Sequence, residues 1–218
     1  LDELCRQASA AIDQGFTIIL LSDRGVNAQW APIPSLLATA AVHHHLIREG
    51  TRTRCGLVVE SGEPREVMHL CLLVGYGAGA INPYLAYATL AGMIHDGQLK
   101  DVTEEEAVDH FIKAGTKSLI KVASKMGIST IQSYRGAQIF EAIGLNREVI
   151  DRYFSWTASR VGGVGLDAIA RESSNRHRMA FAADPNLDGE LDVGGQYQWR
   201  RRGEFHMYNP NTIAKLQH

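Results

Sequence analysis

The spacing of hydrophobic residues alternates between helical and strand-like patterns, most clearly in residues 118–136. Apolar positions three or four residues apart, or twice that, are typical of one helix face. They are Ile112, Leu119, Val122 and Met126. Gly127 suits the left-handed turn that ends many helices. The following run at 128–133 predicts a short strand, and 137–143 again predicts a helix. A helix, a glycine stop and a strand in this order indicate a repeat of a parallel α/β fold.

The remaining chain repeats this alternation. Strands are predicted at 16–21, 55–60, 80–81 and 128–133, the first of them apolar throughout and therefore expected to be covered on both faces. Helices are predicted at 1–14, from about 35 to Gly50, from Pro83, at 103–126 and at 166–181, and a helix is favoured over a strand at 65–74. Connections of this length are too long for hairpins. The sequence therefore predicts an α/β fold with one parallel four-stranded sheet flanked by helices, similar to half of a barrel.

Polar residues mark where two of the helices begin. Thr103 and Glu106 have the Thr-x-x-Glu spacing of a capping box. Asn82 is a predicted cap, followed by Pro83 at the first helical position, where the missing N–H is not needed.

The pattern changes near 162–165, or after Phe181. Residues 182–189 have the composition of a loop, the aromatic residues of 193–206 predict an antiparallel ribbon, and 211–218 has a helical pattern. We expect a central α/β domain at 1–160, a connecting helix and loop at 161–192, and a short extension of ribbon and helix at 193–218. Both ends of the chain resemble cut points, as in a segment of a longer polypeptide.

Five stretches of this chain resemble the large subunit of glutamate synthase, and one of them, 124–145, resembles a motif just ahead of the flavin-binding domain of that enzyme. They are APIPSLLATAAVHHHLIREG (31–50), LVVESGEPREV (57–67), GYGAGAINPYLA (75–86), SKMGISTIQSYRGAQIFEAIGL (124–145) and VGGQYQWRRRGEFH (193–206). The stretches follow one another in uninterrupted order over nearly the whole chain. The resemblance implies that residues 1–160 form the central domain and that 193–218 begin a truncated FMN-binding domain.

The resemblance also implies a reaction. Such enzymes convert glutamine and 2-oxoglutarate into two glutamates, with electrons passing through an iron–sulfur cluster and FMN and with ammonia moving internally. The implied partners are the amidotransferase and FMN-binding domains of the same chain, in the cytoplasm or a plastid stroma. The amidotransferase's N-terminal cysteine and a clustered cysteine motif are absent, since Cys5 is not terminal. We therefore expect no catalytic, cofactor-binding or metal residues in this segment and no activity from it alone.

The composition excludes several other classes of protein. Hydrophobic residues make up 45% of the chain and charged residues 21%, with a formal net charge of −2. This balance does not favour nucleic-acid binding, and the apolar runs are too short to span a membrane. Two alternatives from other classes remain: a freestanding flavin- or phosphate-binding α/β enzyme, and a pure interaction module. The three cysteines, Cys5, Cys55 and Cys71, are widely separated and predict buried free thiols.

Two motifs with apparent chemistry have structural explanations. His43, His44 and His45 are consecutive, so on a helix they point about 100° apart and do not converge on one metal ion. We expect His44, on the apolar stripe, to be a hydrogen-bonded core residue. The glycines at 75, 77 and 79 precede a helix but lack the spacing of known phosphate-binding loops. Close packing of a helix on a strand explains these glycines equally well.

Basic residues are concentrated at two places. Arg200, Arg201 and Arg202 are isolated and indicate a solvated hairpin or a domain contact rather than a nucleic-acid site. A row of lysines follows one edge of the long helix at steps of four residues: Lys113, Lys117, Lys121 and Lys125. Like charges at this spacing repel one another by about 0.2–0.5 kcal/mol per pair. A solvated face and an interdomain contact with an acidic surface are both compatible with the row.

Overall fold

The computed structural model describes residues 1–181 and 193–218. The helices of the described chain are α1 (Asp2–Asp13), α2 (Ser35–Arg48), α3 (Val67–Gly75), α4 (Tyr84–His95), α5 (Glu104–Lys125), α6 (Ile131–Tyr134), α7 (Arg147–Tyr153), α8 (Leu166–Ala180) and α9 (Pro210–Gln217). The strands are β1 (Ile18–Ser22), β2 (Gly56–Glu60), β3 (Ala80–Asn82), β4 (Glu141–Leu145) and β5 (Ala158–Val164). The predicted α/β class with parallel strands and flanking helices is confirmed.

The strands form two parallel sheets rather than the single four-stranded sheet predicted. One sheet has the order β1-β2-β3, with Leu20 opposite Val58 and Val58 opposite Ala80. The other pairs β4 with β5. When strand order follows chain order, right-handed crossovers place the connecting helices on the same face of the sheet. Among the described residues, the first sheet is therefore covered on one face only.

The core lies on that covered face. Side chains of β1 and β2, such as Ile19 and Leu57, pack in one cluster with residues of α1, α2 and α7. Leu46 of α2 and Val149 of α7 belong to the same cluster. Two smaller clusters continue it, one around Leu73 and one in which α3 and α5 meet α6. This packing holds the carboxyl ends of the strands in place.

The region after α5 differs from the prediction. Residues 128–133 were predicted to form a strand, but Thr130 caps the short helix α6 there, and its hydroxyl accepts a hydrogen bond from Ser133 N at 3.2 Å. The strand lies later, at β4, where a helix was predicted. Gly144 in β4 has φ +80°, and a Cβ on Gly163 of β5 would lie 2.2 Å from its carbonyl oxygen. The two glycines thus permit the irregular register of β4 and β5.

The observed helix ends agree in part with the predicted ones, and two positions predicted to be apolar contacts are exposed. The capping box of Thr103 and Glu106 is confirmed, and the ambiguous 65–74 segment forms α3. Helix α4 begins one residue later than predicted, with Pro83 in the capping position. Ile112 and Met126 were predicted on the apolar face of α5, but they are 47% and 45% exposed.

The chain divides into two compact units, Leu1–Phe181 and Ala182–His218. The predicted domain boundary at 160 falls within β5. The loop predicted at 182–189 lies outside the described residues. In the second unit, residues 193–206 form turns rather than the predicted ribbon, and no strand occurs in 193–218. Two consecutive glycines with positive φ, Gly194 and Gly195, are incompatible with a regular strand.

Candidate functional site

Polar side chains converge at the carboxyl ends of β1 and β2, the edge at which parallel α/β sheets usually bind ligands. The carboxylate of Asp23 accepts hydrogen bonds from the hydroxyls of Ser61 and Tyr84, at 2.6 and 2.7 Å, and from Gly62 N. Burial, and then the bond to Asp23, raises the pKa of Tyr84 to about 12. All the donors around Asp23 thus come from the chain itself.

A second carboxylate at this edge is also held by neighbouring strands. Glu60 accepts hydrogen bonds from Ser22 (2.6 Å) and Asn82 (3.2 Å), and it pairs with Arg24 at 2.7 Å. These partners, Ser22 first, lower the pKa of Glu60. Its neighbour Glu63 accepts hydrogen bonds from the amide and hydroxyl of Ser35 at the start of α2.

Together these bonds join the strand ends to one another and occupy both carboxylate oxygens of Asp23 and of Glu60. A general base or a metal ligand needs an oxygen free to meet substrate or ion. In residues 1–181 and 193–218, no group of three His, Cys, Asp or Glu side chains is placed to hold a metal ion. The bonds found at this edge hold the strand ends together.

The glycine loop after α3 is explained by packing. A Cβ on Gly77 would lie 2.2 Å from His43 Nδ1, and one on Gly75 would lie 2.5 Å from the Phe140 ring. The amides of Gly77, Ala78 and Gly79 donate to carbonyls of Val74, Leu73 and Leu57. Because these amides already have acceptors, they are not free to bind a phosphate in the way a phosphate-binding loop requires.

The three consecutive histidines occupy different environments. His43 is buried, and its Nδ1 accepts a hydrogen bond from Arg52 Nε at 2.9 Å. His45 Nε2 contacts Ser9 Oγ at 2.9 Å. The predicted hydrogen bond of His44 is not found, since His44 Nε2 is buried without a hydrogen-bond partner among the described residues. Burial is the main cause that lowers the pKa of His43 to about 3 and of His44 to about 4.

The three cysteines are free and buried, as expected. Burial raises the pKa of the Cys5 and Cys71 thiols. A thiol with a raised pKa is a weak nucleophile at neutral pH, so neither side chain has the character of an activated cysteine.

The structure places the lysine row on the outer edge of α5, with all four side chains exposed. Lys113 pairs with Asp109 of the same helix. In the described part of the chain, Lys117, Lys121 and Lys125 make no ion pair. Three uncompensated cations at four-residue steps thus point away from this unit's own core.

The uncovered face of the first sheet is a surface that the sequence did not predict. Ile18 and Leu20 are 67% and 55% exposed, while Ile19 and Leu21, which alternate with them along β1, face the core. Phe16, just ahead of β1, is also exposed, and Val58 of β2 extends the apolar surface across the sheet. Exposed contiguous apolar surface of this kind usually marks a contact with another protein surface.

The chain is similar in sequence to parts of longer proteins. The family model described as the glutamate synthase central domain matches residues 1–146. The chain is 54% identical over 217 residues to the glutamate synthase [NADPH] large chain of Bacillus subtilis, covering 100% of this chain and 14% of that protein. It is 42% identical over 219 residues to the glutamate synthase [NADH] of Schizosaccharomyces pombe, covering 100% of this chain and 10% of that protein.

A relative named for a different electron donor, ferredoxin, is also similar. The chain is 39% identical over 227 residues to the ferredoxin-dependent glutamate synthase of Pyropia yezoensis, covering 99% of this chain and 15% of that protein. The chain therefore spans only 10% to 15% of the length of these three relatives.

Among the described residues, no helix is both long and apolar enough to cross a membrane.

Proposed function

Because this chain belongs to the glutamate synthase central-domain family, we propose that it connects the amidotransferase and flavin domains of a glutamate synthase and is inert alone. The full reaction would form two glutamates from glutamine, 2-oxoglutarate and reductant, with the chemistry performed by the other domains. Cytoplasm or plastid stroma would be its compartment.

The observation that carries this proposal is the uncovered face of the first sheet. A parallel sheet normally has both faces covered. Ile18 and Leu20 lie on the uncovered face, and the exposure of large aliphatic side chains to water is unfavourable. A second domain packed on this face would complete the layered arrangement of an α/β protein.

The residues of this segment do not fit the cofactors of the proposed enzyme. An iron–sulfur cluster needs several converging thiolates, whereas Cys5, Cys55 and Cys71 belong to three different parts of the chain and form no metal-ligand group within the described residues. The glycine loop has no free amides for the phosphate of FMN. We therefore assign FMN and the cluster to other parts of the enzyme.

The first test is the activity of the 218-residue chain itself. We expect no glutamine-dependent glutamate formation when dithionite supplies electrons, and no flavin or iron–sulfur absorbance after purification and incubation with FMN. A stoichiometric yellow chromophore that survives gel filtration would overturn the assignment and favour the freestanding flavin enzyme.

The second test concerns the uncovered face. Leu20→Gln changes an exposed residue, so the isolated chain should lose no more than about 0.5 kcal/mol of unfolding free energy. In the full-length enzyme the same change would place an amide in a domain contact. It should cost about 2–4 kcal/mol there, since apolar burial is lost and a polar group is desolvated.

Leu21→Gln is the matched control, because Leu21 is the next residue of the strand and faces the core. It should destabilise the isolated chain and the full-length enzyme alike in urea unfolding. An equal and small effect of Leu20→Gln in both proteins would show that no domain packs on this face.

A further inference from the structure

A pocket of about 450 Å³ lies apart from the strand ends and from the uncovered sheet face. It is formed by the end of α2, the turn after α3, residues 136–140 and the loop between α7 and β5. Three aromatic side chains line it: Tyr76, Phe140 and Trp156. Tyr76 and Phe140 are stacked, with ring centroids 5.7 Å apart. Its size and apolar walls are typical of a site for a small organic molecule.

One polar atom in this pocket is unsatisfied. His44 lines the pocket, and its Nε2 is buried without a hydrogen-bond partner among the described residues. Buried polar atoms in folded proteins almost always have a partner. The ring is neutral at pH 7, because burial and then Arg48 lower its pKa to about 4. A neutral ring with its proton on Nε2 is a hydrogen-bond donor.

The charges around the pocket favour an anion. Arg48 lies one turn after His44 on α2, so both side chains are on one helix face. The acidic lining residue, Asp151, is already bound by Arg147 Nε at 2.9 and 3.0 Å. Behind His43, Arg52 is part-buried and donates only to neutral acceptors: His43 Nδ1, the Cys55 carbonyl and the Gly77 carbonyl. Buried cations normally have an anionic partner.

The rim of the pocket holds a strained residue. Trp156 has φ +68°, a conformation unfavourable for a bulky side chain, and it is 84% exposed. Strain of this kind persists where surrounding structure imposes it, and it is concentrated at binding sites. The conformation places a large aromatic ring beside the opening.

We propose that this pocket binds a small carboxylate with a planar apolar body. The carboxylate accepts hydrogen bonds from His44 Nε2 and from the Arg48 guanidinium, whose Nη1 otherwise donates only to neutral oxygens of Arg152 and Ser155. It gives His44 Nε2 the partner that this atom lacks among the described residues. The planar body lies among Tyr76, Phe140 and Trp156. All these residues belong to the first compact unit, so binding is independent of the proposed connector role.

The probes are 2-naphthoate and its neutral analogue 2-naphthamide, titrated calorimetrically into the 218-residue chain. We expect saturable one-to-one binding of 2-naphthoate, and binding of the amide weaker by about tenfold or more, since a charge-assisted pair is lost. Arg48→Gln should weaken 2-naphthoate binding by a similar factor. Arg171→Gln, an exposed arginine on α8, is the matched control and should leave the affinity unchanged.

A second variant separates binding from folding. Trp156→Gly relieves the positive φ, so the melting temperature should rise or stay unchanged while the affinity for 2-naphthoate falls. Equal affinities for the acid and the amide would overturn the proposal, as would unchanged binding in Arg48→Gln. Lack of saturation by millimolar 2-naphthoate would overturn it as well.

Discussion

Gly77→Ala tests whether the glycine loop is a packing device. Gly77 has φ +112°, and a Cβ there would lie 2.2 Å from His43 Nδ1 and 2.8 Å from His43 Cγ. The His43 ring is buried and bonded to Arg52, so it has little room to move aside. The substitution should therefore displace the ring and break the hydrogen bond from Arg52 Nε.

The expected cost has two parts. A non-glycine residue at this positive φ costs about 1–3 kcal/mol of unfolding free energy. Forcing the buried imidazole aside costs about another 1–3 kcal/mol, as in other overpacked interiors. The sum, about 2–6 kcal/mol, is a large fraction of the stability of an ordinary domain.

Gly15→Ala separates the two parts. Gly15 also has a positive φ, +90°, but a Cβ there meets nothing within 4 Å. It should lose only the conformational part, about 1–3 kcal/mol. Urea unfolding of the wild-type chain and both variants measures the difference. Equal losses in the two variants would refute the packing explanation and reopen a binding role for the loop.

Two further predictions follow from the polar edge and the lysine row. Tyr84→Phe removes the hydrogen bond to Asp23 but keeps the ring under Arg24; it should cost about 1–2 kcal/mol at pH 7. The pKa of Tyr84 is raised from 10.0 to about 12, so the folded wild-type chain keeps the phenol proton at a pH where the unfolded chain has lost it. The free energy of unfolding of the wild-type chain should therefore fall between pH 10 and 12, and that of the variant should fall less steeply. Lys117→Ala with Lys121→Ala should leave the isolated chain unchanged or up to about 0.5 kcal/mol more stable, yet destabilise the full-length enzyme if the row faces an acidic domain surface. Lys113→Ala, whose charge is already paired with Asp109, is the control, and equal effects of the double variant in both proteins would indicate a solvated face.

The features that the sequence predicted well are those with local causes. The capping box at Thr103 depends on two side chains three residues apart, and α3 ends where glycines stop a helix. Parallel pairing followed from the length of the connections. The first two follow from near neighbours in the chain and the third from the length of the connections, so a pattern in the sequence was sufficient.

The wrong predictions depend on packing between distant segments. Ile128 was assigned to a strand, but it packs in the cluster around Tyr134, and α6 begins just after it. Likewise, the surroundings of His44 include the ring of Tyr76, which is distant in the chain and lies 6.3 Å from the imidazole between ring centroids. The pocket around His44 could not be predicted, since its walls come from four separate segments.

The most informative wrong prediction concerns β1. Its unbroken apolar sequence predicted a strand covered on both faces, whereas in the structure only alternate residues are buried. A strand with one face in water normally alternates apolar and polar residues. Here Ile18 and Leu20 occupy positions where that alternation would place polar side chains. The composition of β1 therefore suits a strand covered on both faces, an environment that the described residues do not supply.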